Sequence, residues 1–452
     1  MATYLSRTPS SAGNRKKYTW SGWIKNCATG SAQQNFMAVS TANNDFNLLY
    51  FNTAGNLVVY FADNGSTGGF LQTSALFIDP NAWYHIVFRF DSTHGTADNR
   101  IRLYVNGIQQ TDVAYRTNPS LNYEGLINTS GNRMDISGSG AGMTAGANSF
   151  FGIMSHVHFL DGEDRDASYF GETDSTTGEW KIKTNVTGVN YGTNGFFILK
   201  DGNSVTDQSG QGNNFTVSSG TLTKTEDNPS NVFATLNPLV KPNDYTLSQG
   251  NNTIAYGNAT ARACCLSTLG MSSGKFYAEL KVTATSTTPC QAAVGIANNS
   301  DNTNSGYYPS QGNTDNAASY QFWDGTKNIG SSGAAYGNTV AANDIMGFAF
   351  DIDNKAMYVS KNGVWQGSGV PTSGASKTNA IDFSSITDNG FWFLIVGDGS
   401  GVQTFTSSFN FGNGYFGTTA VSSAGTNASG NGIFEYDVPT GYTALSTKGL
   451  NL

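Results

Sequence analysis

Apolar and polar residues alternate with period two along much of the chain, the spacing that puts every second side chain on one side of a β-strand. The run Tyr18-Thr19-Trp20-Ser21-Gly22-Trp23-Ile24-Lys25 is an early instance, and residues 47–51 and 56–61 follow. Residues 83–91 lead across a polar loop to residues 101–105, and Asn106-Gly107 then supplies a two-residue hairpin turn. The second half repeats the plan with other residues. Residues 274–282 alternate cleanly, 293–297 read as a buried strand, and 344–353 lead to 355–360 and the turn Asn362-Gly363. Residues 391–396 form a last core strand. Both halves carry a long apolar strand ending in Asp, a turn, a strand with Tyr-Val and an Asn-Gly hairpin. No stretch of 10–12 residues keeps a helical period.

This pattern predicts an all-β protein of two antiparallel β-sandwich domains. The first spans residues 1–172 and the second 246–417, with a C-terminal extension over 418–452. Residues 173–245 read as a packed connector, with short strands at 195–199 and 214–217 and a tight turn at 207–213. Composition agrees with the pattern. Charged residues are 12% of the 452, about half the usual share of roughly 25%. Gly, Asn, Ser and Thr take their place, a palette suited to turns and strands. The net charge of −8 leaves no footprint for nucleic acid, and Arg15-Lys16-Lys17 reads as a solvated strand edge. No apolar run approaches the ~20 residues of a membrane span, and residues 1–5 lack a secretory-signal layout. The expectation is a protein made in a cytosol. Cys27, Cys264, Cys265 and Cys290 are too few for a disulfide scaffold and read as small buried hydrophobes.

Residues 20–25, 83–87 and 101–107 together resemble a laminin-G-like, or concanavalin A-like, jelly roll. His158-Phe159-Leu160-Asp161-Gly162, then Phe170-Gly171-Glu172-Thr173-Asp174, is similar to the end of that module in phage virion proteins. Residues 274–277, 344–347 and 361–363 resemble a SPRY domain, itself a concanavalin-like sandwich. Phe409-Asn410-Phe411-Gly412 and residues 439–445 resemble the ending of phage tail-fibre or capsid-associated proteins. One departure is the insertion around 420–432, where those proteins often run straight into Pro-Thr-Gly-Tyr.

Sandwiches of this kind include glucanases, which carry paired carboxylates on one strand. Retaining enzymes hold them about 5–5.5 Å apart and inverting ones about 6.5–9.5 Å. No strand here has that arrangement, and the acidic run Asp161-Gly162-Glu163-Asp164-Arg165-Asp166 reads as a loop. Asp351 and Asp353 share a strand face but read as the strand's end and turn. His156 and His158 lie two apart without a third metal ligand and read as a strand pair. No nucleophile elbow or phosphate loop is present, and the Gly-rich run 138–143 reads as a plain loop. The expectation is a non-enzyme. No cofactor is called for. The resemblance implies calcium as the one candidate ion, held either by Asp98 with Asn99 or by Asp161 with Glu163.

Loops carry recognition while sheets hold them in place. Tyr307, Tyr308, Trp323, Asp324 and Trp365 combine stacking rings with hydrogen-bonding groups and are the candidate glycan-binding residues. The resemblance implies a virion structural protein, made in the host bacterial cytoplasm. Its leading role is a tail fibre or receptor-binding appendage that adheres to host surface polysaccharide. The partners so implied are other virion proteins, in a homo-oligomer guessed as a trimer, with no nucleic acid and no membrane insertion. The alternative role is a head decoration or head-fibre protein coating the capsid. A polysaccharide depolymerase is the third reading.

Overall fold

The computed structural model describes residues 3–28, 32–200, 204–241, 244–257, 264–298, 316–330, 332–398 and 403–451. The chain divides into two compact units, Met1–Lys224 and Thr225–Leu452. That division cuts the expected connector. Phe196–Ile198 pairs with Gly152–Asp161, and Thr216–Ser219 with Tyr4–Arg7, so both belong to the first unit. Phe233 and Leu236 bridge to Ser446 and Ser267 in the second. The residues expected as a C-terminal extension also belong to that second unit. Short strands satisfy their backbone groups by pairing with an open sheet edge, which draws these segments into the units.

Among the described residues, unit one packs an eight-stranded sheet on a six-stranded one. The larger sheet runs Val113–Thr117, Ser66–Leu76, Asn56–Asp63, Asp45–Phe51, Gln34–Ala42, Met134–Ile136, Tyr4–Arg7, Thr216–Ser219. The smaller runs Phe196–Ile198, Gly152–Asp161, Lys17–Asn26, Trp83–Asp91, Ile101–Val105, Ile108–Gln109. Neighbouring strands are antiparallel. Tyr18, Trp20 and Ile24 point inward with Ile86, Phe88 and Phe90 from the next strand, opposite Leu49, Phe51, Val59 and Phe61 of the other sheet. Period two therefore delivers one apolar row per strand to a shared interior.

Unit two repeats the two-layer plan. One sheet orders Tyr245–Ser248, Thr253–Tyr256, Phe405–Asn410, Lys275–Thr285, Ile345–Asp351, Ala356–Lys361 and Val364–Trp365. The other orders Cys264–Leu266, Phe393–Asp398, Ala292–Ala297, Ala317–Gln321, Thr326–Ile329 and Ser332–Ala335. Phe276, Leu280, Phe348, Val294, Tyr320 and Trp392 fill its core. Cys265 faces that core while Cys264 lies on the opposite face, as alternation requires. Asp351 ends its strand, pairs with Lys275 at 3.0 Å and accepts from the Asn354 N–H, and Asp353 accepts from the Gly274 N–H.

Candidate functional site

The face of the eight-stranded sheet that points away from the core is not polar. In Asp45–Phe51 the alternate residues Phe46, Leu48 and Tyr50 lie there; in Asn56–Asp63, Val58, Tyr60 and Ala62 do. Pairing aligns Leu48 with Tyr60 and Tyr50 with Val58, then Tyr60 with Phe70 and Val58 with Gln72. The edge strand continues the rows with Tyr115 opposite Gln72, and Tyr115 is 66% exposed. Phe46 meets Tyr60 edge-on at 4.9 Å, and Tyr60 meets Phe70 edge-on at 5.2 Å. The Tyr50 and Tyr60 hydroxyls have no hydrogen-bond partner among the described residues. Burial, and secondarily Tyr60, raises the Tyr50 phenol to about 12, so it remains a neutral donor.

One wall of this face is the glycine-rich run 138–143, which does more than turn the chain. The Gly142 N–H donates to Ser40 O at 3.0 Å, and a Cβ on Gly142 would lie 2.1 Å from Ala42 N. Only glycine permits that approach, and it brings Met143 against the aromatic cluster. Arg133 and the Gly140 N–H hold the loop to Asp135 at 2.8 Å each. Phe46, Leu48, Tyr50, Val58 and Ala62 are buried, so the rings this face offers to solvent are half-buried Tyr60 and Phe70 and exposed Tyr115, which can stack on apolar ring faces.

Tyr307 and Tyr308 lie outside the described residues. Trp323 is half-buried in the turn after Ala317–Gln321, and exposed Asp324 accepts from the Thr326 N–H at 2.9 Å. Trp365 packs against the cluster of Tyr277, Tyr358, Phe434 and Tyr442, so part of its ring is spent on the fold. Asp98 is exposed and accepts from Asn118 Nδ2 at 2.6 Å. Asp161 Oδ1 accepts from the Asn14 N–H (2.7 Å) and Asn128 Nδ2 (2.9 Å), and its Oδ2 accepts from the Asn194 N–H (2.9 Å). Glu163 is bidentate to Arg165 and accepts from the Asn190 N–H at 3.0 Å. Calcium requires several free oxygens, whereas these carboxylates face N–H donors that would oppose a cation. Neither expected ligand pair therefore fits the ion; Asp161 ties three loops together instead. Among the described residues no group of three or more His, Cys, Asp or Glu side chains could hold a metal.

Sequence reading also missed the outer face of the six-stranded sheet, which is covered rather than solvated. Residues 167–191 lie over it, with Phe170, Trp180 and Tyr191 against Val87, Tyr104 and Leu160. The Trp180 indole fits between Gly107 and Gly171, where a Cβ would approach it to 2.6 and 2.4 Å. Trp180 Nε1 lies 3.0 Å from His85 Nδ1, and His85 Nε2 lies 2.9 Å from Ser21 Oγ. A Ser–His pair invites a catalytic reading, but its polarity is reversed. Indole N–H only donates, so Nδ1 must be the acceptor and Nε2 carries the proton and donates to Ser21. A serine that receives a proton bond from histidine is not activated by it. Burial pushes the His85 imidazole down to about 3, which keeps it neutral. His158 is likewise buried, stacks on Phe197 at 3.9 Å and bonds the Tyr191 hydroxyl at 2.8 Å.

In unit two the corresponding surprise is Glu279, fully buried on the outer face of Lys275–Thr285. Its oxygens accept from the N–H groups of Glu435 (2.8 Å) and Tyr436 (2.9 Å) and from the Tyr277 hydroxyl (3.2 Å). Burial pushes its carboxyl up to about 7, against those hydrogen bonds.

Residues 2–163 match the family model described as the concanavalin A-like lectin/glucanases superfamily. No curated protein matches the chain. Solved structures do. The SPRY domain of human HERC1 is 11% identical at a TM-score of 0.30, over 38% of this chain and 96% of that one. A heptameric SAP-like pentraxin from Limulus polyphemus is 18% identical at 0.28, over 36% and 71%. A Bacteroides ovatus protein described as carbohydrate binding is 16% identical at 0.31, over 49% and 60%. Unit one is thus built on a concanavalin A-like sandwich over the matched residues.

Proposed function

We propose that this chain is a non-catalytic structural protein of a tailed-phage particle, displayed outward, that adheres to host surface polysaccharide through the aromatic face of its first unit. The observation that carries the reading is the pair of half-buried rings Tyr60 and Phe70 beside exposed Tyr115, with a Tyr60 hydroxyl that has no hydrogen-bond partner among the described residues. The match of residues 2–163 to lectin and glucanase sandwiches supports a sugar as the ligand class. The non-catalytic half of the reading is supported by where the acids are used. Asp135, Asp161, Asp351 and Glu279 each serve as acceptors that fasten loops or strands. The phage assignment rests on the resemblance of residues 158–174, 409–412 and 439–445 to virion proteins. A symmetric oligomer, for which a trimer is the choice, multiplies weak glycan contacts by avidity.

Calorimetric titration of the protein with a panel of bacterial surface polysaccharides tests the adhesive part. Binding that falls about tenfold or more in Tyr60→Ala, the size of one lost stacking contact, is the expected result. Tight attachment to capsids without any polysaccharide binding would replace adhesion by capsid coating. Release of reducing ends from a polysaccharide would make the protein a depolymerase.

A further inference from the structure

Three of the four histidines of the chain, His85, His156 and His158, stand on the two strands that flank Lys17–Asn26 in the six-stranded sheet of unit one. His158 is the register partner of Ser21, and Ser21 receives the bond from His85. The segment 167–191 seals His85 and His158 through two bonds that each use an imidazole nitrogen, Trp180 Nε1 to His85 Nδ1 and the Tyr191 hydroxyl at His158 Nδ1. We propose that residues 167–191 form a proton-sensitive cap, closed over neutral His85 and His158 and opened when acid supplies each imidazole with a second proton.

The reasoning is one of hydrogen-bond polarity and charge. Protonating His85 in place would set an Nδ1–H against the indole N–H, donor against donor. His85 touches Trp23, Phe170 and Trp180, and His158 touches Phe170, Tyr191 and Phe197, so aromatic rings replace water around both. The charged groups that face them do not help. Lys200 and the other histidines bear on His158 with the wrong sign, and Lys25 lies on the same face of its strand. The carboxylates of the surrounding elements are engaged elsewhere: Asp164 with Arg89, Glu163 with Arg165, Asp174 and Glu172 with Lys181. Burial holds His85 at about 3 and His158 well below its ordinary value. An imidazole released to water returns to about 6.5. At about pH 5 each released histidine then favours the open form about 30-fold, and the pair about 10³-fold, relative to pH 7.5. Opening the cap uncovers Leu160, Phe170, Trp180 and Tyr191.

Hydrogen exchange of the full-length protein, corrected for intrinsic rates, tests this between pH 7.5 and about 5. Peptides from 167–191 are expected to lose protection by about 10³, while peptides from Lys17–Asn26 keep theirs. Unchanged protection of 167–191, or an equal loss in Lys17–Asn26, would overturn the proposal. His158→Phe is expected to cut the response to about 30-fold, and a full 10³ response in that variant counts against it. Nitrogen-15 imidazole spectra of the wild-type chain give a check that needs no variant. His85 is expected as the Nε2–H tautomer at pH 7.5, and a doubly protonated His85 beneath a still-protected cap would refute the mechanism.

Discussion

The two units meet the same problem, a sheet whose outer face is covered by a later segment, and solve it with opposite chemistry. In unit one the buried polar group is an imidazole that accepts from Trp180 and donates to Ser21. In unit two it is the Glu279 carboxyl, which accepts the N–H groups of Glu435 and Tyr436 where residues 431–446 cross the sheet. There Phe434 meets Tyr277 edge-on at 5.0 Å, Asn431 bonds Thr443 and Ser446, and Thr443–Ala444 pairs in parallel with Phe276 and Tyr277. A cover fastened to a base is sensitive to acid, and one fastened to an acid is sensitive to alkali. The same two-layer scaffold thus yields covers of opposite pH response.

The sharpest way to break this comparison is Glu279→Leu. It leaves two backbone N–H groups and a tyrosine hydroxyl facing hydrocarbon, at about 1–3 kcal/mol each before relaxation. A loss of about 4 kcal/mol in unit two, read by denaturant titration with exchange resolving the units, is expected. Trp180→Ala comes next. It empties the slot between Gly107 and Gly171, and a loss of about 3 kcal/mol confined to residues 167–191 is expected by exchange.

The pH profiles should cross. The folded-state value of Glu279 is raised, so its contribution is complete below the unfolded value near 4.5 and is lost as pH rises through about 7. That is on the order of 3 kcal/mol, and Glu279→Gln should flatten it. The folded-state value of His85 is depressed, so its contribution is complete above about 6.5 and is lost as pH falls toward 3. Stability of each unit measured from pH 4 to about 8 checks both slopes, and parallel slopes would sink the comparison. Tyr442→Phe removes one bond, to Pro371 O at 3.0 Å, and should cost unit two about 1 kcal/mol. Tyr50→Phe deletes a hydroxyl without a hydrogen-bond partner among the described residues, so stability should be unchanged within about 0.5 kcal/mol while glycan affinity falls a few-fold.

Strand positions were largely legible because alternation is a local signal. Trp83–Asp91 and Ile101–Val105 were expected with their observed bounds, and Lys17–Asn26 within a residue or two. Strands lacking clean alternation, such as Gln34–Ala42 and Ser66–Leu76, were not. The parity of the side chains was equally legible, since Glu279 falls on the same side as Tyr277 and Lys281. What lay over that side was not. Glu435 and Tyr436 stand more than 150 residues away, and nothing near Glu279 marks it as covered. Trp365 was read as a ligand residue from its loop setting, whereas Tyr358, Phe434 and Tyr442 claim part of its surface. The apolar outer face of the eight-stranded sheet did carry a signal, because residues 48–51 and 57–62 are apolar at successive positions instead of alternating. Such strands are apolar on both faces.

The sequence by itself determined that the chain is built of β-strands, which of their side chains share a side, and that turns at Asn106-Gly107 and Asn362-Gly363 join them. These properties follow from dihedral preference and period, which act between near neighbours. Only the tertiary structure decided which faces are covered, which carboxylates and imidazoles lose water, and hence which groups are free to meet a ligand. Desolvation depends on segments distant along the chain, and no local pattern records where they come to rest.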